Sequence, residues 1–323
     1  MGIGRIVVTR ALPGPVMDLL RDAKACWVNP DERTLRPEEI IHQARDHAAD
    51  TLLVMAMDQI DADLIAALPE SVRAIATYSV GHDHIDLKAA KARGIIVLST
   101  PDVLSDAVAD LGMLLLLGAA RRAREAMQLI YDGKWTGWSP TQLIGRDVTG
   151  SRLGIVGMGR IGRAIAHRAR NGFRMNVHYH NRSRLPPDLE DGARFHPALD
   201  DLLPLSDFLM LAAPASPATR GLLNAHSIER LPVGAVVANV SRGDLVDDEA
   251  LIAALSRGRV MAAGLDVFRG EPDLHKGYLD LPNVFLQPHQ GSSTIETRLS
   301  MATMLLDSIV RARAGEPVDN RLV

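Results

Sequence analysis

The segment that most limits what this chain can become runs Gly150-Ser151-Arg152-Leu153-Gly154-Ile155-Val156-Gly157-Met158-Gly159-Arg160-Ile161-Gly162-Arg163-Ala164-Ile165-Ala166. An apolar strand ending at Val156 leads into a G-x-G-x-x-G turn and then into helix-forming residues, the order a dinucleotide-binding βαβ unit requires. Gly157 supplies the tight turn, Gly159 lets the backbone approach a pyrophosphate, and Gly162 lets the helix pack closely on the strand. Phosphates at such a corner meet unpaired N–H groups and the positive end of the helix dipole.

The end of the next strand decides which dinucleotide is expected. An NAD site places an acid there, about 20 residues on, to hold the ribose 2′-hydroxyl. The chain instead reads Met175-Asn176-Val177-His178-Tyr179-His180 followed by Asn181-Arg182-Ser183-Arg184. A guanidinium and a hydroxyl suit a 2′-phosphate through charge-assisted hydrogen bonds. The sequence therefore predicts NADP(H) in preference to NADH or NAD, with NAD(H) use left open. The competing reading is that Arg182 and Arg184 are ordinary solvated surface charges.

With 323 residues, 47% of them hydrophobic, the chain buries a sizeable core and is expected to form two domains. Lys and Arg number 36 against 39 Asp and Glu, so no basic field favours nucleic acid or an anionic membrane. The one cysteine, Cys26, excludes an internal disulfide and suits a reducing, cytoplasmic setting. The start lacks the apolar region of a signal peptide. The most apolar run, Leu111 to Ala120, is too short to span a bilayer and reads as a buried interdomain or interface helix. The histidine pairs His82/His84 and His178/His180 lack further ligands, so no metal is expected.

Strand candidates alternate with helix candidates along both halves: Arg5 to Thr9, Thr51 to Met55, Val72 to Thr77 and Ile95 to Leu98 in the first. In the second they are Arg152 to Val156, Met175 to His180, Phe208 to Leu211, Ala235 to Asn239 and Met261 to Leu265. This rhythm predicts an α/β chain with two doubly wound parallel sheets. One long helix is expected from Pro101 to about Tyr131, carrying the chain between domains, and another from Ser292 to about Ala314, returning to the first. The expected division is 1–100 with 291–323 for substrate and 101–290 for the nucleotide. The loop Gly133-Lys134-Trp135-Thr136-Gly137-Trp138-Ser139-Pro140 carries two tryptophans, which fits a partner subunit or a substrate pocket.

Polar residues just past strand ends are where open α/β sheets place function. Arg242 follows Ala238-Asn239-Val240-Ser241, Glu271 stands in Phe268-Arg269-Gly270-Glu271-Pro272, and His289 in Gln287-Pro288-His289-Gln290-Gly291. Reduction of a 2-keto acid needs a cation for the carboxylate, a proton donor for the developing alkoxide, and an anion that favours the charged donor. Arginine, histidine and glutamate supply these in turn. In the first half, Val80-Gly81 after a strand suits a small anion held by backbone N–H groups; an ordinary β-to-α turn is the alternative.

Val80-Gly81, Gly157-x-Gly159-x-x-Gly162, Ala213-Pro214, Asn239-Val240-Ser241-Arg242-Gly243, Gly264-Leu265-Asp266-Val267-Phe268, Glu271-Pro272 and Pro288-His289-Gln290-Gly291-Ser292, in this order, resemble the D-isomer-specific 2-hydroxyacid dehydrogenase family. The match spans nearly the whole chain. The resemblance implies a Rossmann nucleotide domain, a discontinuous flavodoxin-like substrate domain, an active site in the cleft between them, and a homodimer with a dimerisation loop near 131–150. It carries substrate orientation to Arg242, pairing with the histidine to Glu271, and acid/base work to His289. Substrate contacts are expected from Val80, Gly81, Arg242, His289, Ser292 and Trp138. Coenzyme contacts are expected from Gly157, Gly159, Arg160, Ile161, Gly162, Asn181, Arg182, Ser183, Ala213, Pro214, Val240, Ser241, Asp266 and Gly291, with Asp266 at the carboxamide. Arg182-Ser183 and Trp138 resemble the glyoxylate/hydroxypyruvate reductase branch, in which a tryptophan of this loop reaches the neighbouring subunit. His82 and Gln290 depart from the common pattern and leave substrate size open. The family also resembles dinucleotide-sensing corepressors, a second class that the intact Arg242, Glu271 and His289 argue against.

Overall fold

The computed structural model describes residues 3–22 and 26–323; the side chain of Cys26 lies outside the described residues. The chain divides into two compact units, Met1–Leu104 with Ser292–Val323, and Ser105–Gly291.

The first unit is a five-stranded parallel sheet of β1 (Ile6–Val8), β2 (Cys26–Val28), β3 (Thr51–Val54), β4 (Ala74–Thr77) and β5 (Ile96–Leu98), in the order β2-β1-β3-β4-β5. Every residue of β1, β3 and β4 is buried, as expected for parallel strands covered by helices on both faces. Local chemistry sets the helix starts. Asp61 and Asp86 accept N–H bonds from the first turns of the helices Ala62–Ala67 and Leu87–Ala92. Pro37 opens the helix Pro37–Asp46, whose Glu39 carboxylate reaches back to the Arg36 N–H at 2.8 Å. The helix Ile295–Arg313 brings the C-terminal segment back, and the tail closes on the sheet through an Asn320 Nδ2 bond to the Ser99 carbonyl at 2.7 Å.

The second unit is a seven-stranded parallel sheet of β6 (Arg152–Val156), β7 (Asn176–His180), β8 (Arg194–His196), β9 (Phe208–Leu211), β10 (Ala235–Asn239), β11 (Val260–Leu265) and β12 (Val284–Leu286). Its order is β12-β11-β10-β9-β6-β7-β8. From β6 the chain builds outward through β7 to one edge, then returns to β9 on the other side and builds to the opposite edge. The reversal lies between β6 and β9, and a crevice opens beyond strand ends at such a point.

The structure departs from the sequence reading in several places. The expected single helix 101–131 is two helices, Ser105–Ala120 and Ala123–Tyr131, with Arg122 left-handed between them at φ 55°. The break has a distant cause: the Ala120 carbonyl accepts the N–H of Arg146 at 2.9 Å, and Gly145 packs against it so closely that a Cβ would lie 2.3 Å away. The apolar run within Ser105–Ala120 belongs to the second unit. It packs within the second unit, where Gly118 meets the Phe285 ring and Gly264 meets Leu115. No described helix is long and apolar enough to cross a membrane. The strands β2, β8 and β12 and the helix Pro37–Asp46 were not expected.

Candidate active site

At the reversal point the glycines are forced by backbone contact. Gly157 has φ +96°, and a Cβ there would sit 2.3 Å from the Ala213 nitrogen. A Cβ on Gly162 would sit 2.2 Å from the Gly157 carbonyl oxygen. Gly159, by contrast, faces open space and caps the helix Arg160–Phe173 without any side-chain acceptor. At a helix start without a side-chain cap, backbone N–H groups such as that of Ile161 suit an external anion. Around them, Ala213-Pro214 lies just past β9 and Val240-Ser241 just past β10. Val240 N–H donates to Leu211 at 3.2 Å, and the Ser241 hydroxyl donates to the Ala213 carbonyl. These residues fit the pyrophosphate of a dinucleotide: the space is one that a Cβ would fill, and the donors are backbone.

Beyond β7, the Asn181 carboxamide oxygen accepts the Met158 N–H at 2.7 Å, so it is committed to the glycine turn. Arg182 and Ser183 are exposed, and neither side chain has a hydrogen-bond or ion-pair partner among the described residues. Arg184 is different. Its Nε and Nη2 pair with the two Glu190 oxygens at 2.8 and 3.0 Å.

A cluster of Arg242, Glu271 and His289 is assembled from the segments that follow β10, β11 and β12. His289 Nδ1 lies 2.7 Å from Glu271 Oε2, while Glu271 Oε1 accepts the Phe268 N–H at 2.7 Å. Burial alone would raise the Glu271 carboxyl, but the His289 hydrogen bond and charge, the Phe268 N–H and the Arg242 charge together hold it below its ordinary value. The Arg242 turn is fixed by Asn239, fully buried, whose Nδ2 donates to the Arg242 carbonyl at 2.9 Å and whose Oδ1 accepts the Ser241 N–H at 3.0 Å. Gly243 brings that turn against the β11 turn, where a Cβ would lie 1.8 Å from the Phe268 carbonyl carbon. Sequence reasoning placed Asn239 and Gly243 in the motif around Arg242 but gave neither a role, which depends on contacts that only the fold supplies.

Asp266, expected at the coenzyme, is 1% exposed, and its carboxylate accepts the N–H groups of Gln290 and Gly291 at 2.6 and 3.0 Å. Its backbone carbonyl takes the His289 N–H at 2.9 Å, so Asp266 holds the His289 loop, in which His289 itself is left-handed at φ 54°. Burial pushes the Asp266 carboxyl up to about 6, against the opposing pull of the Gln290 N–H and the His289 charge.

In the first unit, after β4, Val80 is exposed and Gly81 is partly buried. A chain of hydrogen bonds backs this loop: His84 Nε2 to Thr77 Oγ1 at 2.9 Å, Thr77 Oγ1 to Ser79 Oγ at 2.7 Å, and Ser79 Oγ to the Gly81 carbonyl at 2.6 Å. Ser292, the first residue of the returning segment, is partly buried. Trp138 stands 85% exposed in the loop after the helix Ala123–Tyr131.

A glycine corner open to phosphates and a histidine–carboxylate pair beside an arginine, all in one doubly wound unit, define a nucleotide-dependent oxidoreductase. Residues 113–291 match the profile of the NAD binding domain of the D-isomer specific 2-hydroxyacid dehydrogenases. A glycerate dehydrogenase of Hyphomicrobium methylovorum is 43% identical over 307 residues, 94% of each chain. Among solved structures, a Polaromonas protein assigned to the same dehydrogenases aligns at a TM-score of 0.94 with 47% identity over 99% of both chains. An NADPH-dependent glyoxylate/hydroxypyruvate reductase of Sinorhizobium meliloti, solved with NADP and malonate, aligns at 0.85 with 30% identity over 100% of this chain and 97% of that one. The chain belongs to the D-isomer specific 2-hydroxyacid dehydrogenase family.

Proposed function

We propose that this chain is an NADPH-preferring reductase of small 2-keto acids, turning glyoxylate and hydroxypyruvate into glycolate and D-glycerate. The observation that carries the reading is the 2.7 Å pairing of His289 with Glu271, in the same unit as an anion-ready glycine corner whose acid position is occupied by Asn181. A nicotinamide coenzyme, when bound, supplies the hydride. Glu271 engages Nδ1 of His289 and leaves Nε2 as the end that gives its proton to the developing alkoxide. Arg242 offers two parallel donors to the substrate carboxylate and carbonyl oxygen, and the Val80 and Gly81 N–H groups and Ser292 complete the carboxylate's partners. Gly157, Gly159 and Gly162 admit the pyrophosphate, Ala213, Pro214, Val240, Ser241 and Gly291 line the coenzyme, and Arg182 with Ser183 take its 2′-phosphate.

The unit Ser105–Gly291 is the coenzyme domain in this reading, and the other is the substrate domain. Two copies pair through the helix Ala123–Tyr131 and the loop to residue 150. That helix buries none of its residues, and Met127, Ile130, Tyr131, Trp135, Trp138 and Ile144 are each more than half exposed. Trp138 then serves the substrate site of the second copy. A chain with one cysteine suits the reducing cytoplasm.

The test is a panel of 2-keto acids assayed with both coenzymes. Turnover of glyoxylate and hydroxypyruvate with a higher kcat/KM for NADPH than for NADH is expected. Equal efficiency would remove the coenzyme preference. No turnover of any keto acid would remove the reductase and bring forward a dinucleotide-sensing scaffold.

A further inference from the structure

The loop Asn181–Leu185 is fastened at both ends. At its start, the Asn181 carboxamide oxygen holds the Met158 N–H at 2.7 Å and locks the loop to the glycine turn. At its far end, the Leu185 N–H donates to the Tyr179 hydroxyl at 3.0 Å, and that hydroxyl donates to Glu190 Oε1 at 2.7 Å. Arg184 closes the knot with its two bonds to Glu190 at 2.8 and 3.0 Å. Only Arg182 and Ser183, between the two fastenings, present side chains without a protein partner among the described residues.

The knot is not an ordinary surface ion pair. The Arg184 side chain is 64% exposed, but the Glu190 side chain is 8% exposed, and Tyr179 is fully buried. An exposed pair contributes little to stability and forms readily elsewhere on a surface. A buried carboxylate cannot lose its cation cheaply, because its charge would then be left with a single neutral donor. Arg184 and Tyr179 hold the Glu190 carboxyl at about 2, so it stays charged throughout the working range. Arg184 is therefore committed to Glu190 and is unavailable to a phosphate.

We propose that Tyr179, Arg184 and Glu190 form a brace that pre-orders Arg182 and Ser183 for the coenzyme's 2′-phosphate, acting as positioning residues for coenzyme selectivity rather than as phosphate ligands. This rests on the NADP(H) reading above. Its physical content is that a donor pair already held in place loses less side-chain and loop freedom on binding, and so binds more tightly with no added contact. The brace and the alternative, in which Arg184 itself grips the phosphate, predict opposite signs. Weakening Glu190 loosens a brace but liberates a ligand.

The test is equilibrium binding, by calorimetry, of adenosine 2′,5′-bisphosphate and of 5′-AMP, which differ only in the 2′-phosphate. It is read on the wild type, Glu190→Gln and Tyr179→Phe, with thermal unfolding recorded for each. Under the proposal, each variant weakens the bisphosphate about tenfold while 5′-AMP shifts less than twofold. Tyr179→Phe keeps the buried ring in place and covers the case in which Glu190→Gln fails to fold. An unchanged bisphosphate-to-AMP ratio in a folded variant overturns the brace, and a rise in bisphosphate affinity in Glu190→Gln assigns Arg184 to the phosphate instead. A wild type that binds the two probes equally overturns the NADP(H) reading itself, and the brace with it.

Discussion

Replacing Glu271 by Gln changes one oxygen to an amide nitrogen and little else, and the two hydrogen bonds at that carboxylate set the consequence. Both Glu271 oxygens are in use, one accepting the Phe268 N–H and the other facing His289 Nδ1, each at 2.7 Å. A glutamine has one acceptor, and the Phe268 N–H, which cannot be anything but a donor, takes it. The amide nitrogen then faces His289 Nδ1, which must become an acceptor. The imidazolium that donates a proton in reduction carries a hydrogen at both nitrogens, so it now meets a donor with a donor. A hydrogen bond to a charged partner contributes about 1.5–3 kcal/mol, so the loss lowers kcat for keto-acid reduction at pH 7 about 10- to 150-fold. Because one pH unit corresponds to about 1.4 kcal/mol, the alkaline limb of the reduction profile also moves toward acid by about one to two pH units. The assay is the pH dependence of kcat for glyoxylate with NADPH, alongside coenzyme affinity by fluorescence, which is expected to stay within about twofold. A limb that does not move, with kcat near the wild-type value, would refute the assignment of His289 as the acid and Glu271 as its partner.

Gly157→Ala places a Cβ 2.3 Å from the Ala213 nitrogen at a residue with φ +96°, and left-handed backbone costs an L-residue about 1–2 kcal/mol even without a clash. The folded variant is expected to bind NADPH at least about tenfold more weakly by fluorescence titration; undiminished affinity contradicts the corner as the coenzyme site. Arg242→Lys loses the planar fork and should lower kcat/KM for glyoxylate about 100-fold with little change in coenzyme affinity, so an unchanged specificity constant removes Arg242 from substrate binding. Asp207 is held below its ordinary value first by the Arg152 hydrogen bond, against burial, with the Arg152 N–H and Arg146 adding to it. A depressed carboxyl contributes stability that is complete above its unfolded value near 4 and fades as pH falls through the folded value. The urea-unfolding difference between wild type and Asp207→Asn should therefore be about 1–3 kcal/mol and flat from pH 6 to 8, then shrink below pH 4; equal differences at pH 3 and pH 7 would refute it.

The interior strands were legible because both faces of a parallel sheet are covered, so β3, β4, β9 and β10 read as uninterrupted apolar runs. The strands β2, β8 and β12 escaped for the converse reason. Each has three residues at or next to an edge, and β8, Arg194-Phe195-His196, carries one apolar residue. The break at Arg122 was invisible because what ends the preceding helix, the Arg146 N–H on Ala120, lies about 25 residues away. In the candidate site, glycine spacing marked the corner Gly157–Gly162, and strand-end position marked Arg242, Glu271 and His289. The partnerships were another matter. Nothing local told that Arg184 belongs to Glu190 or that both Asp266 oxygens serve the N–H groups of Gln290 and Gly291, since each depends on which of several acceptors a fold brings near.

Those hidden partnerships explain why so few atoms at the site remain to do chemistry. Gly157 lies against Ala213, Gly243 against Phe268 and Gly264 against Leu115, each too close for any Cβ. The turns that carry the functional groups are thus set by backbone against backbone, which has no rotamers to relax into. Asn181 Oδ1, both side-chain polar atoms of Asn239 and both Asp266 carboxylate oxygens then go to nearby backbone groups of those same turns. In the proposed reading, coenzyme and substrate are met by the helix amides behind Gly159, the Arg182–Ser183 pair, Arg242 and Nε2 of His289. A substitution that fills one of these backbone contacts should therefore move several of those groups at once, so binding and turnover should fall together, whereas loss of a single exposed donor should separate them.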